Sequence, residues 1–254
     1  DPRTFAPREP FGRPQDEFWG VRRDGAWCAV VYLGGTSGAV LPVGDDPAAL
    51  RALGRTAVER LPRPQRFQII GARAAVDPFV ERFARGGLLP RLDRPQTYMV
   101  LEPGDLPACD RLPELRSASR DDLALVYESG ADLRAEELEE DPRVVDPLGY
   151  RRRVEDECRD AHTWLWLADD GLRFRSSVSA VTADSAQVSG VYTPPAHRNR
   201  GYARRGLAEL CARLFAASRS VSLFVNDANV PALALYRRMG FRDRAPWRSL
   251  FYAA

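Results

Sequence analysis

The strongest constraint on the fold lies between Val188 and Ala203, where an apolar strand leads into a basic loop and the loop leads directly into a helix. Apolar residues then recur every three or four positions, which predicts a helix from Tyr202 to Ala217 with one buried face. A strand and a helix joined in this way lie in adjacent layers, so the segment indicates an α/β or α+β domain with a mixed sheet. The buried face consists of Leu207, Leu210, Cys211, Leu214 and Phe215.

Strands and helices alternate along the rest of the chain as well. The Asp-Gly turn at 24–25 predicts a hairpin, and the Asp-Pro pair at 46–47 predicts the start of a helix. Predicted strands cover 18–22, 27–33, 38–43, 66–70, 97–101, 162–167, 174–181, 187–192, 221–225 and 247–252. Predicted helices cover 45–60, 76–85, 119–130, 148–158, 202–217 and 230–239.

The length of 254 residues favours two domains of ordinary size over one large domain. The stretch 102–113 contains several prolines and is the predicted linker. We therefore expect a loose lead-in over 1–16, an N-terminal domain over 17–104 and a C-terminal domain over 105–254.

Composition excludes several classes of function. The 37 basic and 35 acidic residues give a net charge of only +2, which implies neither a nucleic acid nor an acidic membrane as partner. No apolar run is long enough to span a bilayer, and the first residues are polar and rich in proline, so we expect a cytoplasmic protein.

The residues that usually carry metal or nucleophilic chemistry are scarce. The four cysteines form no C-x-x-C pair, and His162 and His197 are the two histidines, so the sequence predicts no metal site. Cys211 falls on the apolar helix face and is predicted to be a core residue rather than a nucleophile. Every basic residue is an arginine, and the absence of lysine excludes Schiff-base chemistry and Walker-type phosphate binding.

The basic loop before the 202–217 helix has the features of an anion site. Backbone N–H groups at a helix N-terminus lack partners within the helix, and the helix dipole adds partial positive charge there. Gly201 allows a ligand to approach the backbone closely, and the neighbouring arginines contribute further charge. This junction therefore predicts a site for a phosphate or pyrophosphate.

Two sequence motifs at and after this site resemble those of a known protein family. Arg198–Ala203 resembles the R-x-x-G-x-[GA] acetyl-CoA loop of the GNAT superfamily of N-acetyltransferases. Downstream, Leu223–Phe241 resembles the N-x-x-A-x-x-x-Y-x-x-x-G-F region of the same family. A strand precedes the first motif, an amphipathic helix follows it, and the second motif comes at the right spacing, so the resemblance predicts a GNAT fold for the C-terminal domain.

The resemblance implies the residues that bind acetyl-CoA, the expected co-substrate. The backbone of Val191, Tyr192 and Thr193 would pair with the pantetheine amides in the manner of an added strand. Asn229 would also contact the cofactor. The pyrophosphate would be held by the loop residues His197, Arg198, Asn199, Arg200, Gly201, Tyr202 and Ala203.

The resemblance also implies a catalytic acid. Tyr236 matches the tyrosine that in many relatives protonates the departing CoA thiolate, although a core aromatic on an amphipathic helix is the alternative. His197 is expected to serve loop packing rather than catalysis. Many relatives carry an acidic residue on the fourth strand, but Gln187–Val191 contains none, so a general base is not apparent. The acidic run Glu136–Asp141 either borders the acceptor site or forms a solvated surface, and we favour the solvated surface.

The N-terminal half repeats the order of strands and helices without the motif. Its strand-to-helix junction, Val43–Pro47, is acidic, and two aspartates would repel a pyrophosphate. We therefore expect a degenerate GNAT-like copy and a tandem GNAT arrangement with one working site. The whole chain resembles a bacterial group in which an uncharacterised domain precedes a GNAT domain. The copy is expected either to shape the acceptor pocket or to mediate a homodimer.

These observations favour an N-acetyltransferase in which an unidentified primary amine, on a small molecule or a peptide, attacks acetyl-CoA directly. Backbone N–H groups near Val191 would stabilise the oxyanion. One alternative is a sensor that binds acetyl-CoA without turnover, since the base is not apparent. Another is an enzyme that uses a longer acyl-CoA.

Overall fold

The computed structural model of the chain describes residues 3–5, 16–35, 37–61, 66–169 and 171–253, with the backbone alone for 3–5. The described residues fold into two compact units. The first comprises 1–98, 226–228 and 245–254, and the second comprises 99–225 and 229–244. None of the helices in the described ranges combines the length and apolar character that a membrane span requires.

The elements up to residue 101 are β1 (Arg3–Phe5), β2 (Glu17–Arg23), β3 (Ala26–Leu33), β4 (Ala39–Gly44), α1 (Pro47–Arg60), β5 (Phe67–Ala72), α2 (Arg73–Arg85) and β6 (Leu92–Leu101). The later elements are β7 (Arg116–Ser117), α3 (Leu123–Leu138), α4 (Pro142–Val145), α5 (Pro147–Arg159), β8 (Thr163–Ala168), β9 (Gly171–Val181), β10 (Ala186–Tyr192), α6 (Tyr202–Leu214), β11 (Val221–Asn226), α7 (Val230–Arg238) and β12 (Arg242–Tyr252).

The first unit is a mixed sheet covered by two helices. Its strands follow the order β1, β2, β3, β4, β5 and the 245–252 part of β12, and they are antiparallel except for β4 and β5. The parallel pairing of β4 with β5 extends over Ala39 with Gln68 and Val40 with Ile69. Helices α1 and α2 pack on one face and bury a core that includes Val31, Leu50, Leu53, Ile69, Phe79 and Phe83.

The second unit has the same plan. Strands β7, β8, β9 and β10 are antiparallel neighbours, and β11 joins β10 in parallel. Helix α6 packs tightly on β9, since a Cβ at Gly206 would lie 2.4 Å from the ring of the buried Phe174. The mixed α/β fold expected from the sequence is confirmed.

The two halves of the chain contain the same succession of elements. The first half runs β2, β3, β4, α1, β5, α2 and β6, and the second half runs β8, β9, β10, α6, β11, α7 and β12. In each half of the chain the central helix connects two strands that pair in parallel, β4 with β5 and β10 with β11. The second unit has in addition the helices α3, α4 and α5 before its first long strand.

Neither compact unit is a single continuous segment of the chain. The sequence places 105–254 in a single domain, whereas residues 245–254 lie in the first unit. Their apolar side chains account for this, because Tyr252 stacks on Phe67 with ring centroids 4.5 Å apart and Leu250 is buried in the same core. The prolines of the predicted linker at 102–113 give no information on where the later strand β12 packs.

Several elements differ from the predictions at their ends. Strand β6 begins at Leu92 rather than 97, and β12 begins at Arg242 rather than 247. Helix α3 continues to Leu138, although the sequence predicts an end near Gly130, because the following residues are good helix formers. It ends at Glu139, which adopts a left-handed conformation with φ 54°. Helix α6 ends at Leu214 rather than 217. Most of the predicted lead-in, and residue 170 of the predicted turn at 169–171, lie outside the described residues.

Candidate functional site

The parallel strands β10 and β11 pair only at their beginning. Within the described residues the register joins Ala186 with Val221 and Gln187 with Ser222 and goes no further. Toward its carboxyl end β10 is irregular against β9 between Ser189 and Tyr192, and Gly190 has φ +59°. The end of β10 therefore has backbone groups without a parallel partner in β11, which suits the binding of an extended ligand.

The loop after β10 presents an open helix N-terminus. Asn199 has φ 61° and Gly201 has φ 80°, a left-handed conformation that glycine adopts without strain. Helix α6 begins at Tyr202 without a side-chain hydrogen bond to its N-terminus. Its first N–H groups therefore remain available, with the positive end of the helix dipole, for an anion.

Arg198 braces this loop from within. Its Nε donates to the carbonyl oxygen of Thr193 at 3.0 Å, and its Nη2 donates to both carboxylate oxygens of Glu136 at 2.8 and 2.9 Å. Its guanidinium also lies over the ring of Tyr192, 5.7 Å from the centroid. Within the described residues the buried hydroxyl of Thr193 has no hydrogen-bond partner. Arg198 thus shapes the loop, while an unpartnered hydroxyl remains at the strand end.

His197 packs into the same loop. Its Nε2 lies 2.7 Å from Nη1 of Arg173, and its ring meets the ring of Tyr202 edge-on at 6.2 Å. A guanidinium can only donate, so Nε2 accepts and the proton is on Nδ1. Desolvation lowers the pKa of His197, and the charges of Arg173 and Arg200 lower it further. These contacts hold the imidazole against Arg173 and Tyr202, and the packing role of His197 stays a prediction.

A basic cavity of about 550 Å³ lies beside the open end of α6. Within the described residues neither Arg204 nor Arg238 pairs with a carboxylate, so the positive charge at this cavity is largely uncompensated. Arg204, Arg205 and Arg238 line this cavity and are not among the binding residues predicted from the sequence. Its lining comprises Leu106, Pro107, Ala108, Cys109, Asp110, Arg200, Gly201, Arg204, Arg205, Ala208, Arg238 and Met239.

Tyr236 is a buried phenol on α7. Its ring lies 5.8 Å from that of Phe241 in a T-shaped contact, within the core of the second unit. Burial raises its pKa, and the charge of Glu137 raises it further. Tyr236 is consistent with both alternatives from the sequence, a core aromatic and a catalytic acid, because a buried phenol that stays protonated can still donate its proton.

Asn229 caps the helix that carries Tyr236. Its side-chain oxygen accepts a hydrogen bond from the Ala232 N–H at 3.2 Å, which fixes the start of α7. The predicted cofactor contact of Asn229 stays a prediction, and its amide nitrogen is the group left for it. Cys211 is buried in the core as expected, and burial raises the pKa of its thiol.

The equivalent junction of the first unit is closed by its own carboxylate. Asp46 caps α1 by accepting from the N–H groups of Ala48 at 2.9 Å and Ala49 at 3.0 Å. Arg23 contacts the same carboxylate at 2.8 Å, and the pKa of Asp46 is lowered, chiefly by the Ala49 N–H. An anion at this N-terminus would meet a negative charge already in place.

The described residues contain no cluster of three or more histidine, cysteine or acidic side chains that could hold a metal ion.

Comparison with known proteins relates a segment of the chain to a family. Residues 131–241 match the model of the acetyltransferase (GNAT) family. A GCN5-related N-acetyltransferase from Sphaerobacter thermophilus is 17% identical, with a TM-score of 0.62 over 92% of this chain and 79% of that chain. A GCN5-related N-acetyltransferase from Kribbella flavida is 16% identical, with a TM-score of 0.61 over 89% and 87%.

The likeness extends to a tandem arrangement. A tandem GNAT protein from the clavulanic acid biosynthesis pathway is 14% identical, with a TM-score of 0.53 over 93% of this chain and 82% of that chain. No protein of curated function matches this chain significantly. Residues 131–241 therefore match the GNAT acetyltransferase family, and the mixed α/β fold of the chain is similar to that of a tandem GNAT protein.

Proposed function

We propose that this chain is an N-acetyltransferase that transfers the acetyl group of acetyl-CoA to a primary amine by direct attack. The observation that carries the proposal is the open N-terminus of α6, which follows a splayed strand and borders an arginine-lined cavity. The splayed strand would suit the extended pantetheine chain with its two amides. The helix N-terminus would suit the pyrophosphate, and the cavity would suit the phosphorylated nucleoside.

The binding residues follow from this match. The backbone of Val191–Thr193 would pair with the pantetheine amides, and the N–H groups of the 197–203 loop would hold the pyrophosphate. Arg204 and Arg238 would attract the remaining phosphate of the nucleotide. The unpartnered hydroxyl of Thr193 supports a ligand at the strand end.

Acetyl transfer would depend on backbone N–H groups and on one side chain. N–H groups near Val191 would stabilise the oxyanion of the tetrahedral intermediate. Tyr236 would protonate the departing thiolate, and its raised pKa keeps the phenol protonated at neutral pH. No covalent intermediate on the protein is required.

The first unit would act without a co-substrate of its own. Its carboxylate-capped α1 supports a degenerate copy and one working site in the chain. Whether this copy shapes the acceptor pocket or mediates a homodimer is tested by the oligomeric state in solution.

Release of free thiol from acetyl-CoA, measured over a panel of amines, tests the proposed function. We expect turnover with at least one primary amine and a smaller rate with longer acyl-CoAs. Binding of acetyl-CoA without thiol release on any amine would favour a sensor instead. Faster turnover with a longer acyl-CoA would identify that compound as the donor, and the reaction would still be the acylation of an amine.

A further inference from the structure

The sheet of the first unit has one face that helices α1 and α2 do not cover. These helices pack on the other face, where Val31, Val40 and Ile69 are buried. Successive residues of a strand point to opposite faces, so the neighbours of these residues lie on the uncovered side, which we call the outer face. Its apolar side chains are those of Phe18, Trp27, Val30, Tyr32, Leu41, Val43 and Ile70.

Strand pairing joins these side chains into one apolar patch. Phe18 lies opposite Tyr32, and Tyr32 lies opposite Leu41. The rings of Phe18 and Tyr32 have centroids 5.1 Å apart. Phe18, Trp27, Leu41 and Val43 are all exposed. A soluble monomer rarely exposes a contiguous apolar patch of this kind, so the outer face has the character of an interface.

The second unit covers the corresponding face of its own sheet with helices. Its central helix α6 lies on one side of the sheet, as α1 does in the first unit. On the opposite side α3 and α5 pack on the strands, where Val126 and Val154 share a core with Leu165 and Leu172. The described part of the first unit has no helix in the place of α3 and α5. The outer face therefore lacks a layer that the second unit has.

The remaining residues of this chain are too poor in apolar side chains to form that layer. Side chains outside the described set are those of residues 1–15, 36, 62–65, 170 and 254. Phe5 and Phe11 are the two large apolar residues among them. Two such side chains cannot cover a patch of seven, so the missing layer is to be sought in another molecule.

Charged residues at the corners make the outer face complementary to itself. Asp16 and Arg22 stand at the start and the end of β2, Asp45 follows the end of β4, and Arg66 precedes the start of β5. All four are exposed. Strands β2, β4 and β5 run in the same direction, so acids and arginines alternate around the face. A surface with this pattern fits a second copy of itself.

We propose that the outer face is the interface of a homodimer in which two copies stack their first-unit sheets face to face. Stacked sheets lie about 10 Å apart with their strands nearly aligned. A twofold axis along or across the strands brings each corner acid of one copy over a corner arginine of the other. Burial of the apolar patch drives association, and the charge pairs fix the orientation. Dimerisation through this face does not depend on acetyl transfer.

Sedimentation equilibrium of the full chain tests the dimer from about 1 to 100 μM, because association follows mass action. Val43→Glu places a carboxylate within the patch. Val144→Glu is the matched control, since Val144 lies on α4 of the second unit and is 79% exposed, against 66% for Val43. We expect Val43→Glu to associate at least about 100-fold more weakly than wild type, because each copy would bury an unpaired carboxylate. Val144→Glu should have the wild-type Kd.

Charge reversal tests the pairing of the corners. Arg22→Glu should weaken association at least about tenfold, because it brings like charges together. A second reversal in the same chain should restore the wild-type Kd. With a twofold axis across the strands the restoring change is Asp16→Arg, and with an axis along the strands it is Asp45→Arg. Circular dichroism of every variant checks that the chain is folded.

Three results would overturn the proposal. The first is a wild-type chain that stays monomeric over this range, the second is a dimer that Val43→Glu leaves intact, and the third is failure of both second reversals to restore association. A monomer whose Tm falls with Val43→Glu, but not with Val144→Glu, would show that the chain covers the outer face itself. Acetyl-CoA is absent from these measurements, so the proposed function stands or falls separately.

Discussion

Glu209 is the buried carboxylate that joins α6 to the segment forming one wall of the cavity, and its removal has a calculable cost. It accepts from Arg111 at 2.9 and 3.1 Å, from Arg213 at 2.8 Å and from the Leu112 N–H at 3.1 Å, and its side chain is 0% exposed. Glu209→Gln replaces one acceptor oxygen by an amide that cannot accept, and it leaves two guanidinium groups without their counter-charge.

Breaking a buried ion pair on one side costs about 3 to 5 kcal/mol, and because the side chain of Arg111 is 77% exposed we expect about 3 kcal/mol. For a chain of this size that lowers Tm by roughly 6 to 12 °C. The measurement is thermal unfolding at pH 7, with Asp184→Asn as control. Asp184 and Arg219 form an ion pair in which both side chains are 83% exposed, so its loss should cost below about 0.5 kcal/mol.

The same carboxylate predicts a pH dependence. Arg111, Arg213 and the Leu112 N–H lower the pKa of Glu209 from 4.5 to about 2, although burial alone would raise it. A lowered folded-state pKa stabilises the fold above the unfolded value and loses that effect as the pH falls from about 4.5 to about 2. A Glu209→Gln variant that melts within about 2 °C of wild type at pH 7 would refute this reasoning.

Three further outcomes follow from the structure. Tyr236→Phe should lower kcat by about 100-fold and leave the calorimetric affinity for acetyl-CoA unchanged, since it removes a proton but keeps the ring; a parallel loss of affinity would argue for a packing role. Asp46→Ala should cost about 1 kcal/mol in urea unfolding through loss of the α1 cap, with no effect on acetyl-CoA binding; weaker binding would place a working site in the first unit. Gly206→Ala should destabilise by about 2 kcal/mol in the same assay, because the new methyl meets the ring of Phe174 at 2.4 Å; a gain in stability would show that the ring can move.

Local sequence rules predicted much of the fold and the centre of the site. The cap of α1 at Asp46, the strand before the 193–201 loop and the start of α6 at Tyr202 all follow from residues within a few positions of one another. Such features depend on backbone preferences and short-range hydrogen bonds, so the printed sequence is enough to infer them.

The rest depends on contacts between distant residues. Arg238 reaches the cavity of Arg204 only because α7 ends beside the start of α6, and sequence periodicity does not report that. The contact of Arg198 with the pyrophosphate stays a prediction, and its pairing with Glu136 joins residues 62 positions apart, which the sequence pattern does not indicate.

The most direct test of the account is a calorimetric titration of acetyl-CoA into the wild-type chain and into the Arg204→Glu/Arg238→Glu variant, with Arg152→Glu on α5 as the matched charge reversal. Each lost charge-assisted contact is worth about 1.5 to 3 kcal/mol, so the double variant should bind at least about 100-fold more weakly. Arg152→Glu should match wild type. Saturable wild-type binding that disappears only in the double variant would support the site at α6, whereas no wild-type binding, or equal binding by all three proteins, would contradict it.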